Sequence, residues 1–199
     1  MQQGGLFSAF ANKIPTLTTS RLTLRALQVR DSADMYEYAS LDTVTKYLLW
    51  ESHRSEKQTR QYLEYVQKLY RAGELYDWAI VFNGCDKMIG TCGFASLDTE
   101  NRSGEAGYVL HPHFWGMEIA KEALLRVMQF GFTELGLHRI VCRHMLGNAQ
   151  SARVMEKCGM QYEGTNRESI YVKGAYRTVA VYAMVQEDFT NRNQIGTHA

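Results

Sequence analysis

What is scarce in this sequence narrows its class before any motif is read. The 199 residues contain no apolar run long enough to span a bilayer. The opening MQQGGLFSAFANKIPT has neither the basic start nor the long apolar stretch of a signal peptide. A cytoplasmic protein with no membrane partner is expected. Charge of either sign is not in excess: 22 Lys and Arg against 21 Asp and Glu leave a net charge of +1. That balance argues against a dedicated nucleic-acid binder and against a polybasic anchor, so any charged pocket must be local. The four cysteines, Cys85, Cys92, Cys142 and Cys158, show no C-x-x-C spacing, which points to reduced, partly buried thiols. His111 and His113 alternate as metal ligands can, but no third ligand lies at a telling distance, and no metal is expected.

A chain of this length suits one domain able to bury its own core. Residues 1–20 read as an N-terminal extension in which Leu6, Phe7 and Phe10 could pack, residues 21–189 as the domain, and residues 190–199 as a polar tail, frayed from Asn191. Alternation over residues 21–27 gives a first strand with Leu22 and Leu24 on one face. Asp31 is placed as the N-cap of a helix to Ala39, and Ser55 with Gln58 fits a capping box opening a longer helix to about Arg71. Strands follow at residues 76–82 and 87–97, joined by Asn83, Gly84, Cys85 and Asp86, with Asn-Gly as a hairpin signal. A third antiparallel strand covers residues 105–110. A helix over about 116–135 aligns Ile119, Ala123, Val127 and Phe130. A strand at 138–145, a short helix from Asn148 closed by Gly159, and strands at about 161–167 and 178–186 with a Lys173-Gly174 turn complete a mixed α+β sheet.

The segment YVLHPHFWGMEIAKEAL, residues 108–124, carries the most chemistry. A strand ends at a proline, turns through Gly116 and opens into an amphipathic helix. The unpaired N–H groups of that first turn, with the positive end of the helix dipole, suit an anionic phosphate. Taken alone, the segment fits an ordinary strand-to-helix junction equally well.

With NAQSARVMEKCGM at 148–160, TSRLTLRAL at 19–27 and the closing RESIYVKGAYRTVAVYAM, the chain resembles the GNAT superfamily of N-acetyltransferases, RimJ/RimL-type branch. The resemblance runs from Arg21 to Phe189. It implies a single-domain GNAT-like fold, a mixed and mostly antiparallel central sheet flanked by helices. It also implies an acetyl-CoA-dependent N-acetyltransferase with acetyl-CoA as co-substrate and an amine acceptor as partner, either a protein N-terminus or a small molecule. A homodimer is a further implication of the branch.

Residue by residue, the resemblance gives cofactor contacts to Tyr108, Val109, Leu110, Trp115, Gly116, Met117, Glu118, Ile119, Ala120, Asn148 and Ser151. Trp115 takes the first position of the pyrophosphate loop and Ala120 the last. Glu118 stands where the family has glycine, and its carboxylate is expected to turn outward from a pyrophosphate it would repel. The general base falls to Glu105, for which a salt bridge or solvated strand end is the structural alternative. The usual thiolate-protonating tyrosine is Met155 here, which cannot donate, so Ser151 takes the thiol-contacting role. Asn148 and Ser151 also read as plain helix capping. Trp50 and His53, joined by Arg54, are the acceptor-side residues. Glu118 and Met155 keep a second class open, a non-catalytic acyl-CoA-binding regulatory module.

Overall fold

The computed structural model describes the backbone of residues 14–196 and the side chains of residues 14–192. Leu6, Phe7 and Phe10 lie outside the described residues. The strands are β1 (Leu17–Thr18), β2 (Leu22–Ala26), β3 (Tyr76–Phe82), β4 (Lys87–Asp98), β5 (Ser103–Leu110), β6 (Arg139–Met145), β7 (Gln161–Val172) and β8 (Ala175–Val185). The helices are α1 (Ser32–Ala39), α2 (Asp42–Thr45), α3 (Glu56–Ala72), α4 (Ile119–Thr133), α5 (Ala149–Lys157) and α6 (Gln186–Gly196). One eight-stranded sheet runs in the order β1-β2-β3-β4-β5-β6-β8-β7. Every neighbouring pair is antiparallel except β5 with β6. Among the described residues no helix is long and apolar enough to cross a membrane.

Period-two alternation sends side chains to two separate cores. Leu22, Leu24, Trp78 and Cys92 join Ile119, Val127, Phe130, Ile140 and Met155 beneath α4 and α5. On the opposite face Ala79 and Met88 pack under α1 and α3 with Met35, Tyr38, Leu63 and Val66. Trp78 is fully buried, edge-on to Phe130 with ring centroids 5.3 Å apart.

Several local expectations are revised. Asp31 precedes α1 but does not cap it: its carboxylate accepts the Gln28 N–H at 2.7 Å and grips the Arg25 guanidinium through both oxygens at 2.7 and 2.8 Å. A bidentate arginine attracts the carboxylate more strongly than a helix amide does. Ser55 does cap α3 by accepting the Gln58 N–H, while the Gln58 side chain reaches one residue further back, to the Arg54 N–H. In the β3–β4 loop the left-handed residue is Asp86 (φ 48°) rather than Gly84, because four residues close this turn and the Asn83 side chain is engaged by Thr23 at 2.8 Å. α4 starts at Ile119, three residues after Gly116. The tail is helical through Gly196 rather than frayed from Asn191, with Phe189 stacked on Phe132 at 4.9 Å. The two-residue β1 and the four-residue α2 carry too little periodicity to be read from sequence.

The Arg25–Asp31 pair fastens the α1 side of the fold to β2, with Asp31 3 % exposed. Asp31→Asn leaves a partly buried guanidinium without its charge partner. Urea unfolding is expected to show a loss of about 3 kcal/mol.

Candidate active site

β5 and β6 are partners only from Ser103 opposite Arg139 to Ala106 opposite Cys142. Beyond that point β5 stays with β4 as far as Leu110, and β6 stays with β8 as far as Met145. The two parallel strands therefore part, and residues 107–110 present a strand edge with no partner strand on the β6 side among the described residues. Such an edge needs hydrogen-bond partners. A cleft of about 640 Å³ opens in this V. It is lined by Tyr108, Val109 and Leu110 of β5, Trp115 to Ile119 save Met117, Ala120 of α4, and the start of α5.

The loop before α4 holds its shape through particular contacts. The Trp115 indole N–H donates to the Leu110 carbonyl at 2.8 Å, tying the loop back onto the strand. Gly116 takes φ 77°, and a Cβ there would meet nothing within 4 Å, so its space opens to the cleft. Glu118 takes φ 62°, the left-handed conformation that explains why glycine suits this position. It caps nothing with its side chain, so the first-turn N–H groups of α4 remain for an anion.

The Glu118 carboxylate is not simply turned outward. Lys157 of α5 donates to it at 2.5 Å and Lys121 lies at 3.6 Å. The hydrogen bond from Lys157 holds its pKa below the usual carboxylate range. Both lysines and Arg153 line the same cleft, giving three cations there against one carboxylate. Sequence reasoning missed these cations, although Arg153 and Lys157 stand four residues apart on α5, on one helix face. It also missed Tyr47 and Leu48 following α2, which cover the cleft from the far side.

At the α5 end, Asn148 Oδ1 accepts the Ser151 N–H at 3.2 Å, the capping role, and both residues line the cleft. The Tyr108 hydroxyl sits 2.8 Å from the Ser151 hydroxyl and 3.0 Å from its carbonyl. Burial pushes the Tyr108 phenol well above its ordinary range, and the Ser151 hydrogen bond opposes that only in part. Tyr108 therefore stays protonated. Its hydroxyl reaches the cleft beside Ser151, a placement that the strand pattern, read only for backbone contacts, did not reveal. Met155 is 2 % exposed and belongs to the core.

The remaining sequence candidates lie elsewhere. Met117 is outside the lining, and its carbonyl accepts from Arg21 at 3.1 Å. Glu105 is on the sheet face opposite Tyr108 and does not line the cleft; its carboxylate lies 3.3 Å from Arg143. The Trp50 and His53 rings lie tilted with centroids 5.3 Å apart, and the His53 ring is 6.2 Å from that of Tyr62 and 2.8 Å from Thr59 Oγ1, on the α3 side of the sheet. Burial lowers the His53 pKa. Arg54 is exposed at the start of α3. Among the described residues no group of His, Cys, Asp and Glu is arranged to hold a metal ion.

A strand edge turned inward, met by a helix N-terminus and a cationic wall, suits an extended, phosphate-bearing ligand. Residues 21–161 match the acetyltransferase (GNAT) domain, and the chain belongs to that family of acetyl-CoA-dependent N-acetyltransferases. It is 32 % identical over 174 residues to an uncharacterized N-acetyltransferase p20 of Bacillus licheniformis, covering 87 % of this chain and 98 % of that one. It is 25 % identical to a spermidine N(1)-acetyltransferase of Vibrio cholerae, over 88 % of this chain and 99 % of the other. The fold is shared with a RimL ribosomal L7/L12 α-N-protein acetyltransferase solved with coenzyme A, at TM-score 0.77 and 21 % identity, covering 86 % of this chain and 98 % of that one.

Glu118→Gly relieves a left-handed backbone and frees Lys121 and Lys157 for phosphate. Calorimetric titration with coenzyme A is expected to show binding tighter by roughly 2- to 5-fold, with a raised Tm for the free protein. Weaker binding would mean the carboxylate helps to hold the loop for its ligand.

Proposed function

We propose that this chain transfers the acetyl group of acetyl-CoA to the α-amine of a peptide or protein N-terminus. The observation that carries this reading is the unpartnered edge at residues 107–110, set between the N-terminus of α4 and the Tyr108–Ser151 hydroxyl pair. Bound acetyl-CoA supplies an activated acetyl thioester. Residues 119–121 would offer backbone N–H groups to its pyrophosphate, with Lys121, Arg153 and Lys157 beside them. The strand edge would hold the pantetheine arm as a further strand is held, and backbone N–H groups of the same edge would steady charge on the thioester oxygen.

Tyr108 would hold the proton for the departing thiolate, with Ser151 orienting the phenol. This replaces Ser151 alone as the donor and makes good the loss of a hydroxyl at Met155. The acceptor would approach from the opposite sheet face, past Trp50, His53 and Arg54, toward Gly107, which is exposed. Glu105 is already paired with Arg143 on that face, so it offers no free surface carboxylate to a polyamine with several ammonium groups. A singly charged α-amine fits that face better.

Free-thiol release from acetyl-CoA, measured with peptides beginning in Ser or Ala and with spermidine, tests the reading. Higher kcat/KM for peptides is expected, and transfer to spermidine alone would overturn the choice of acceptor. Tyr108→Phe is expected to lower kcat by about 100-fold with little change in the KM for acetyl-CoA. An unchanged kcat would remove Tyr108 from the chemistry.

A further inference from the structure

One carboxylate outside the cleft is placed as no structural carboxylate needs to be. Asp77 sits on β3 directly opposite Gly93 of β4, and Gly93 in turn lies opposite Gly107 of β5. The three residues form a row across the sheet, on the face away from Tyr108, ending at the strand edge where the V opens. The Asp77 carboxylate leans along that row: a Cβ on Gly93 would lie 2.7 Å from its Oδ1, and would also strike the Asp77 Cα and the Tyr76 carbonyl at 2.3 Å. At Gly107 an added Cβ would meet nothing within 4 Å. A floor without side chains thus runs from Asp77 to the parting strands. Two strand spacings of about 4.8 Å separate Asp77 from Gly107; because the carboxylate leans over Gly93, about one spacing remains to an amine standing over Gly107, the reach of a single bridging water.

The surroundings of Asp77 supply no counter-ion. Its Oδ1 accepts the Trp78 N–H at 3.1 Å, and among the described residues no lysine, arginine or histidine is ion-paired with it. The groups that face it are phenols, Tyr38 of α1 and Tyr62 and Tyr70 of α3, all of which feel its charge, as does the Cys92 thiol on the other side of the sheet. Tyr70 donates to the Asp77 backbone carbonyl at 2.5 Å. Tyr38 is fully buried and its hydroxyl has no hydrogen-bond partner among the described residues, an uncommon cost for a phenol in a core. Tyr62 is also the ring that His53 and Trp50 lead to, so the expected acceptor-side aromatics adjoin a phenol that feels this carboxylate.

Resting on the acetyltransferase reading, we propose that Asp77 is the general base, receiving a proton from the acceptor ammonium through one water over the Gly93–Gly107 floor. The ammonium gives one proton to the carboxylate. The freed nitrogen lone pair forms the C–N bond to the acetyl carbon as the C–S bond breaks. The nitrogen's second proton goes to the solvent as Tyr108 protonates the thiolate, and Tyr108 and the carboxylate return to their starting states by exchange with water. Desolvation supports the assignment, since it raises the Asp77 pKa to about 7, where a base works best at neutral pH.

The test uses Asp77→Asn, which keeps the side chain's shape and an oxygen for the Trp78 N–H. With the N-terminal Ser and Ala peptides, kcat/KM is expected to fall about 100-fold at pH 7, and the limb near pH 7 should vanish from its pH profile. Coenzyme A should raise the Tm of both proteins equally. A second readout needs no turnover. A carboxylate whose folded pKa is raised loses stability as pH climbs from its unfolded value to its folded one. The Asn variant should therefore melt above wild type at pH 8 and level with it near pH 4. Wild-type kcat/KM with an intact pH 7 limb in the variant, or a variant no more stable than wild type at pH 8, would overturn the role of Asp77 alone. A wild-type chain that acetylates no amine overturns both this role and the transferase reading.

Discussion

The parting of β5 from β6 is the constraint on which the rest of the structure depends. β5 cannot follow β6 past Ala106 because β4 holds it out to Leu110, and β6 cannot follow β5 because β8 holds it to Met145. A register shift in β4 between Phe94 and Ser96 bends the β4–β5 pair at the level of the split. Each unpaired backbone group along the exposed edge would cost about 1–3 kcal/mol if buried dry. The cleft stays open to water or to an extended ligand for that reason. The two hydrophobic cores, one on each face, keep the strands from closing the gap, and α4 and α5 place their N-termini at its mouth.

The charges follow from that geometry. Lys121, Arg153 and Lys157 come together because α4 and α5 both start at the cleft and turn one polar face toward it. In this chain Glu118 stands among them as an internal counter-ion, so the lysines are held in place without a bound phosphate. The opposite sheet face has a different character. Glu105 and Arg143 neutralise each other there, whereas Asp77 has no ion-pair partner among the described residues and lies by the tyrosines of α1 and α3.

Much of this was legible in the sequence, and the failures have physical causes. Gly116, Ala120, Asn148 and Ser151 carry a local pattern, strand, tight turn and helix, and the cleft brings all four together. Glu118 marked itself by occupying a glycine position, but its partner Lys157 is 39 residues away, so the ion pair could not be read from spacing. Tyr108 looked like a strand residue because alternation reports which face a side chain takes, not what hydroxyl waits across the gap. Asp77 was hidden inside the hydrophobic strand YDWAIVF. Its meaning depends on Gly93 and Gly107 lying in register beside it, and register is a property of the folded sheet. Glu105 came from the family pattern alone, and its ion pair with Arg143 is a contact between neighbouring strands that no motif encodes.

Amide hydrogen exchange with and without coenzyme A tests most directly whether the parted strand edge and the start of α4 form one cofactor site. Slower exchange at both residues 107–110 and 119–121 is the predicted result. Unchanged exchange at residues 107–110, with protection confined to other parts of the chain, would contradict it.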